Sequence, residues 1–189
     1  MEKEIISLKG KLLLSMPTLN DPRFYHAVIF ICAHDETGAM GIIINHPLPG
    51  MKMGDLFNEL KFDVSDQRIG DTIVLSGGPV ETSRGFLLHT SDFTLPGTIP
   101  VDDKFAISST TDALQAVAEG KGPKEMLFAI GYAGWGAGQL DDELHENSWM
   151  VLDANYELVF NTEIADKWDR AMARNGIDPS RLSTDAGNA

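Results

Sequence analysis

Arg84 follows a Gly77-Gly78-Pro79 turn and opens the run Arg84-Gly85-Phe86-Leu87-Leu88-His89, which sets one guanidinium beside a strand end. A guanidinium there can hold a carboxylate or phosphate through two parallel hydrogen bonds. It can equally pair with Glu81 or cap a carbonyl, and the sequence leaves both readings open. A second glycine-rich stretch, Gly131–Leu140 (GYAGWGAGQL), carries Gly134, Trp135, Gly136 and Gly138 between an apolar run and an acidic one. Such a segment can aim N–H groups at an anion where a helix begins, or it can be a tight strand-to-helix turn that packs Trp135 inward. Its spacing fits neither G-x-G-x-x-G nor a P-loop, because Gln139 and Leu140 stand where Lys-Ser or Lys-Thr would be needed. Asn45 and His46 end a further apolar run. With Gly77, Gly78, Arg84, Gly134, Trp135, Gly136 and Gly138 they form a candidate ligand-binding rim.

The remaining reactive side chains suggest less. Cys32 is the sole cysteine and alternates with Val28 and Phe30 in an apolar run, so the default is a small core thiol. A redox role would need exposure and nearby positive charge, and His26 and His34 keep that role in view. None of the five histidines sits in H-E-x-x-H or in a zinc-finger spacing, so no metal site is expected. G-x-S-x-G is absent, and with it the serine-hydrolase elbow. Asp141, Asp142, Glu143 and Glu146 read as the solvated face of a helix. No cofactor is implied.

These residues lie on a chain of 189 amino acids with a formal net charge of −13, 43% hydrophobic and 23% charged. That length suits one domain with a sizeable core. The acidity repels phosphate backbones, so direct nucleic-acid binding is not expected. No basic leader and no membrane-length apolar run is seen, and a lone cysteine fits a reducing compartment, which makes cytoplasmic the plain expectation.

The elements expected to position the candidate residues follow from pattern. Lys11–Met16 reads as a strand, and Asp21-Pro22 as a cap with proline at the first helical position. His26–His34 and Ala39–Asn45 read as two buried strands joined through Asp35-Glu36-Thr37-Gly38 as an antiparallel hairpin. Met53, Leu56, Phe57 and Leu60 fall at helical spacing. Thr72–Leu75, Gly85–His89 and Phe105–Ser108 read as strands, with Ser91–Asp103 a long surface loop. Ala113, Leu114, Val117 and Ala118 mark a helix that Gly120 and Gly122 stop. Met126–Tyr132 is a buried strand, and a helix starts near Gln139. Trp149–Asp153 and Tyr156–Phe160 read as a hairpin about Ala154-Asn155. A last helix is capped by Thr162, carries the stripe Ile164, Trp168, Ala171 and Met172, and holds Glu163–Lys167 and Asp166–Arg170 as i,i+4 pairs. Residues from about 183 are small and polar and are expected to be disordered.

Taken together, Pro17-x-Leu19-x-Asp21-Pro22-x-Phe24, VIFICAH at 28–34, GAMGIIIN at 38–45, GGPV at 77–80, RGFLLH at 84–89 and GYAGWGAGQL at 131–140 resemble the bacterial YqgE/AlgH family. The resemblance runs from about Leu12 to Leu182. It implies a mixed α/β fold with a mostly antiparallel, partly rolled sheet flanked by helices, a single domain over residues 1–182 and a cytoplasmic location. It brings no established reaction, and some members carry the label of transcriptional regulator. The chain departs from the family's pattern at His26-Ala27, Ala33 and His46. If those positions hold an anion, imidazole charging below about pH 6.5 would tighten it. The expected function is a non-catalytic binding or regulatory protein acting through a protein partner or a small anionic ligand. The alternative is a hydrolase or transferase with an unfamiliar site, in which His34, His46 or Asp21 serve as acid or base. Nothing in the sequence selects an oligomeric state.

Overall fold

The computed structural model describes residues 4–182. The chain runs through β1 (Lys11–Ser15), β2 (Val28–Asp35), β3 (Gly38–Ile43), β4 (Pro47–Lys52), α1 (Met53–Glu59), α2 (Gln67–Gly70), β5 (Ile73–Ser76) and β6 (Val80–Thr90). It continues with β7 (Ile99–Pro100), β8 (Phe105–Ser108), α3 (Thr111–Ala118), β9 (Met126–Gly136), α4 (Gln139–His145), β10 (Trp149–Asp153), α5 (Tyr156–Phe160) and α6 (Lys167–Arg174). Single 3₁₀ turns occur at Pro22–Phe24, Ile164–Asp166 and Pro179–Arg181. The fold is mixed α/β, and its strand pairs are antiparallel except for β5 with β9 among the described residues. Two compact units are present, one of Met1–Asn45 with Ala133–Ala189 and one of His46–Tyr132. The expected tail from residue 183 lies outside the described residues.

In the first unit the strand order is β10-β1-β2-β3-β9. Leu12, Leu13 and Leu14 are buried in succession, as a strand covered on both faces requires. The β2–β3 hairpin forms as expected, with a register shift between Ile31 and Ala33. At its tip Asp35 Oδ1 accepts from Thr37 N at 2.8 Å, and Gly38 adopts φ 144°. A Cβ on Gly38 would lie 2.2 Å from the Trp135 carbonyl oxygen, so only glycine lets β3 and β9 close there.

Several expectations are corrected in this unit. Tyr156–Phe160 is a helix rather than a returning strand: Asn155 Oδ1 accepts from Leu158 N at 2.8 Å as an N-cap, and Leu158 and Val159 go into the core. β10 pairs instead along its whole length with β1. The glycine-rich stretch is strand through Gly136, paired with β3 from Gly41↔Ala133 to Gly38↔Gly136, so only its last residues form a turn. Thr162 Oγ1 donates to Glu157 O at the C-terminal end of α5 and does not cap α6, which a 3₁₀ turn precedes. Lys167 does not reach Glu163. It is 1% exposed, and its Nζ donates to Val159 O at 2.8 Å and Ile44 O at 3.1 Å.

In the second unit the order is β7-β8-β6-β9-β5-β4, with β9 supplying residues 126–132. β6 begins at Val80, earlier than its apolar run, and its register against β9 shifts between Val80 and Gly85. The loop expected over Ser91–Asp103 contributes the two residues of β7. The edge strand β4 and the short α2 carry no periodic signal, and pairing with β5 is what makes β4 a strand. Met53, Phe57, Val74, Leu87, Ala113, Val117 and Phe128 form the core beneath α1 and α3. Thr110 caps α3 through Ala113 N, and Gly120 at φ 75° ends it. Among the described residues no helix is long and apolar enough to cross a membrane.

Burial moves the Lys167 ammonium down to about 8 from 10.5. The unfolded chain therefore binds more protons than the folded one between about pH 8 and 10.5, and stability must rise with pH across that window. We expect urea titrations of the wild type to gain on the order of 2–3 kcal/mol between pH 8 and pH 10.5 relative to Lys167→Met. Parallel pH profiles for the two proteins would rule out a folded-state pKa lowered by burial of Lys167.

Candidate functional site

Arg84 stands where β6 departs from its register with β9. Glu81, at the start of that irregular stretch, holds a left-handed φ of 46°, an uncommon conformation for a residue with a side chain. Gly85 follows because a Cβ there would lie 2.4 Å from Phe128 Cζ. The guanidinium is held loosely. It lies 5.1 Å from the Phe86 ring centroid, and its nitrogens reach Glu81 Oε2 and Ser109 Oγ only at 3.4 Å each. Its side chain is 54% exposed. Pairing with Glu81 is therefore present, but a long exposed pair of this kind contributes little.

Arg84 lines a cavity of about 290 Å³ within the second unit. Leu56, Leu87, Leu114 and Phe128 give the cavity an apolar lining, and Ser83, Ser108, Ser109, Thr110 and Thr111 give it hydroxyls. One of these hydroxyls belongs to a buried chain of hydrogen bonds. His89 Nδ1 lies 2.8 Å from Thr90 O, which can only accept, so Nδ1 carries a hydrogen. His89 is fully buried, and desolvation pushes its pKa below the ordinary imidazole value. A neutral ring protonated at Nδ1 leaves Nε2 to accept, and Ser108 Oγ donates to it at 2.9 Å. Thr98 Oγ1 in turn lies 2.9 Å from Ser108 Oγ and accepts from Leu95 N at 3.0 Å. The chain runs in one direction from Leu95 N–H to the Thr90 carbonyl.

The other residues of the expected rim have separate duties. Gly77 and Gly78 are buried against Gly131: a Cβ on Gly77 would meet Gly131 O at 2.3 Å, and one on Gly131 would meet Gly78 O at 2.4 Å. They make a close approach of backbones and do not line the Arg84 cavity. His46 precedes the edge strand β4, and its carbonyl accepts from Ser76 N at 2.8 Å. Asn45 belongs to the first unit, as do Gly134, Trp135, Gly136 and Gly138. Asn45 clamps backbone, accepting from Val28 N at 2.8 Å and donating to His26 O at 2.7 Å. Trp135 is buried, and Gly138, at φ 74°, opens α4. Gln139 Oε1 accepts from Gly136 N at 3.0 Å, filling the place that an anion at this turn would take.

Cys32 is 5% exposed, and burial pushes its thiol up to about 12. At neutral pH it is a protonated core thiol, whereas redox cysteines depend on thiolate character. His34 Nδ1 accepts from Leu8 N at 3.1 Å. Asp21 caps the turn at Pro22–Phe24 and forks with Arg23, which holds its carboxyl below the usual range. Among the described residues no group of three or more His, Cys, Asp or Glu side chains could hold a metal ion. The acidic face of α4 is only partly solvated, because Glu143 Oε2 accepts from the indoles of Trp135 at 2.7 Å and Trp149 at 2.8 Å.

Sequence reasoning missed Lys167, the His89–Ser108 pair and the indole contacts of Glu143. Lys167 falls within the apolar stripe, three residues after Ile164 and four before Ala171, and that position was the available signal. His89 and Ser108 meet only through the register of β6 with β8, in which Leu87 faces Ser108. Glu143 needed the strand reading of Trp135.

Similarity to known proteins points one way. The AlgH-like family, DUF179, matches residues 12–180. A UPF0301 protein of Rhodospirillum rubrum is 49% identical over 182 residues, covering 96% of this chain and 94% of the relative. A UPF0301 protein of Caulobacter vibrioides is 47% identical over 184 residues, with coverage of 96% and 94%. The solution structure of the AlgH protein from Pseudomonas aeruginosa superposes with a TM-score of 0.79 at 36% identity, covering both chains in full. With residues 12–180 matched by the family as a whole, this chain belongs to the AlgH-like, or UPF0301, family.

Proposed function

We propose that this protein is a non-catalytic binding protein of the cytoplasm, regulatory in role, that receives a small anion carrying a short apolar tail at Arg84. The observation that carries this reading is a loosely engaged guanidinium beside a cavity of about 290 Å³ lined by both hydroxyls and apolar side chains. A carboxylate can take the planar fork of Arg84 through two hydrogen bonds and displace the long contacts to Glu81 and Ser109. Ser109 and Thr110 offer further hydroxyls, and the tail meets Leu56, Leu114 and Phe128. Regulation of transcription would then work through the ligand or a protein partner, since a chain of net charge −13 opposes contact with DNA.

Thermal-shift measurements with hexanoate, hexanol and inorganic phosphate test the reading. Hexanoate at ~10 mM should raise the wild-type Tm by about 2–4 °C, hexanol should not, and Arg84→Ala should lose the shift. Glu81→Gln, which removes the competing carboxylate, should enlarge it. Equal shifts in wild type and Arg84→Ala, or none in either, would sink the proposal.

One observation favours a second reading, an acyl-transferring enzyme. Ser108 Oγ–H points at His89 Nε2 at 2.9 Å, and Ser108 lines the same cavity. In that reading Ser108 Oγ bonds to an ester carbonyl carbon while its proton passes to His89 Nε2. The departing alkoxide takes that proton, and water later releases the acid from the acylated serine. A fluorophosphonate probe followed by mass spectrometry separates the two readings. The binding reading expects no labelling; stoichiometric labelling of Ser108 that Ser108→Ala abolishes would replace it with the enzyme.

A further inference from the structure

The first unit holds a different cavity, of about 440 Å³, which falls in the size range of small-molecule sites. One wall is a stack of flat rings. The His26 imidazole lies 3.9 Å from the Trp168 ring centroid at an interplanar angle of 4°, and Tyr25 covers its other face at 4.0 Å and 13°. Met16, Leu19 and Phe24 add apolar surface.

This wall is built at a conformational cost. His26 holds φ at 46°, a left-handed conformation that a residue with a side chain adopts only under constraint. Its carbonyl accepts from Asn45 Nδ2 at 2.7 Å, while Asn45 Oδ1 accepts from Val28 N, so one side chain grips the chain on both sides of Ala27. Trp168 is fixed in turn, since its Nε1 donates to Ser15 O at 3.1 Å. Asp21 caps the turn that leads into Tyr25 and His26. The rings are thus set in place by hydrogen bonds that precede any ligand.

The charges on the lining all have one sign. No Lys or Arg lines the cavity; the carboxylates of Asp21 and Asp169 do. Asp21 is matched by Arg23, whereas Asp169, exposed on the first turn of α6, forms no ion pair among the described residues. A ligand carboxylate or phosphate would meet repulsion here. A protonated amine would meet an unmatched carboxylate.

We propose that this cavity binds a small organic cation with a flat aromatic body, its ring against the Tyr25–His26–Trp168 wall and its ammonium toward Asp169. Asn45 is then a positioning residue for that wall. The site lies in the first unit, whereas the Arg84 cavity lies in the second, and it takes ligands of the opposite charge.

Tryptamine and indole-3-propionate have nearly the same shape and opposite charge, and calorimetric titration of the full chain with each reads the charge preference directly. Tryptamine should bind in the sub-millimolar to low-millimolar range, about tenfold or more tighter than indole-3-propionate. Asp169→Asn, an exposed and nearly isosteric change, should cut that preference to about threefold or less. Tyr25→Ala should weaken both ligands. The Trp168 indole N–H resonance should shift on titration in the wild type. Tighter or equal binding of indole-3-propionate would overturn the assignment, as would full preference in Asp169→Asn or no binding of either ligand below about 10 mM.

Discussion

The first unit depends on one buried ammonium. Lys167 lies on the inward face of α6, and its Nζ joins that helix to α5 through Val159 O and to the end of β3 through Ile44 O. Among the described residues no carboxylate answers it in an ion pair; two backbone dipoles do. Desolvation therefore acts against the charge, which is why its pKa falls to about 8. What that cost secures is position. Ile44 N donates to Val28 O, and Asn45, the next residue, grips Val28 and His26. Trp168, the residue after Lys167, stacks on His26. Fixing the amine fixes the end of β3, the left-handed turn at His26 and the aromatic wall in sequence.

Glu143 shows the same device with the sign reversed. Its carboxylate accepts from two indole N–H groups and from Gln139 Nε2 at 3.1 Å. Trp135 and Trp149 belong to the core cluster that also holds Ile29, Ile31 and Leu140, so their donors would be unsatisfied without it. A donor left unpaired inside a core costs about 1–3 kcal/mol. Both charges are thus balanced by neutral polar groups, and each ties a helix to a strand. In the second unit, the chain through Thr98, Ser108 and His89 ties the loop before β7 to β8 and β6 without a charge.

These links explain what the sequence could disclose. The β2–β3 hairpin was legible because both runs are apolar and their turn residues sit together, and α3 because stripe, cap and stop agree. Tyr156–Phe160 misled because a five-residue Tyr-Glu-Leu-Val-Phe segment has strand composition, and only the Asn155 cap and the pairing of β10 with β1 decide the matter. Lys167 misled because an i,i+4 partner at Glu163 is a local signal, whereas the carbonyls it meets are up to 123 residues away. The glycine-rich stretches were legible, but the close backbone approaches they permit were not. Gly38, Gly77 and Gly131 let backbones touch. Of the expected site, Arg84 alone lines the cavity in the second unit, and Asn45 serves as a backbone clamp in the first.

The two cavities answer the chain's net charge of −13 in different ways. An anion approaching Arg84 moves against the field of the molecule and must gain its affinity at contact range, from a fork-shaped donor and hydroxyls. At physiological ionic strength the field of exposed charges fades within about 8 Å, so such local bonds can prevail once the anion is seated. Its repulsion bears mainly on the approach. A cation approaching Asp169 is drawn by the same field and needs only a wall to stop against, which the stacked rings supply. Acidity is thus selective in effect. On the proposed readings it leaves an anion to one guanidinium whose present contacts are long enough to give up, and a cation to a single unmatched carboxylate.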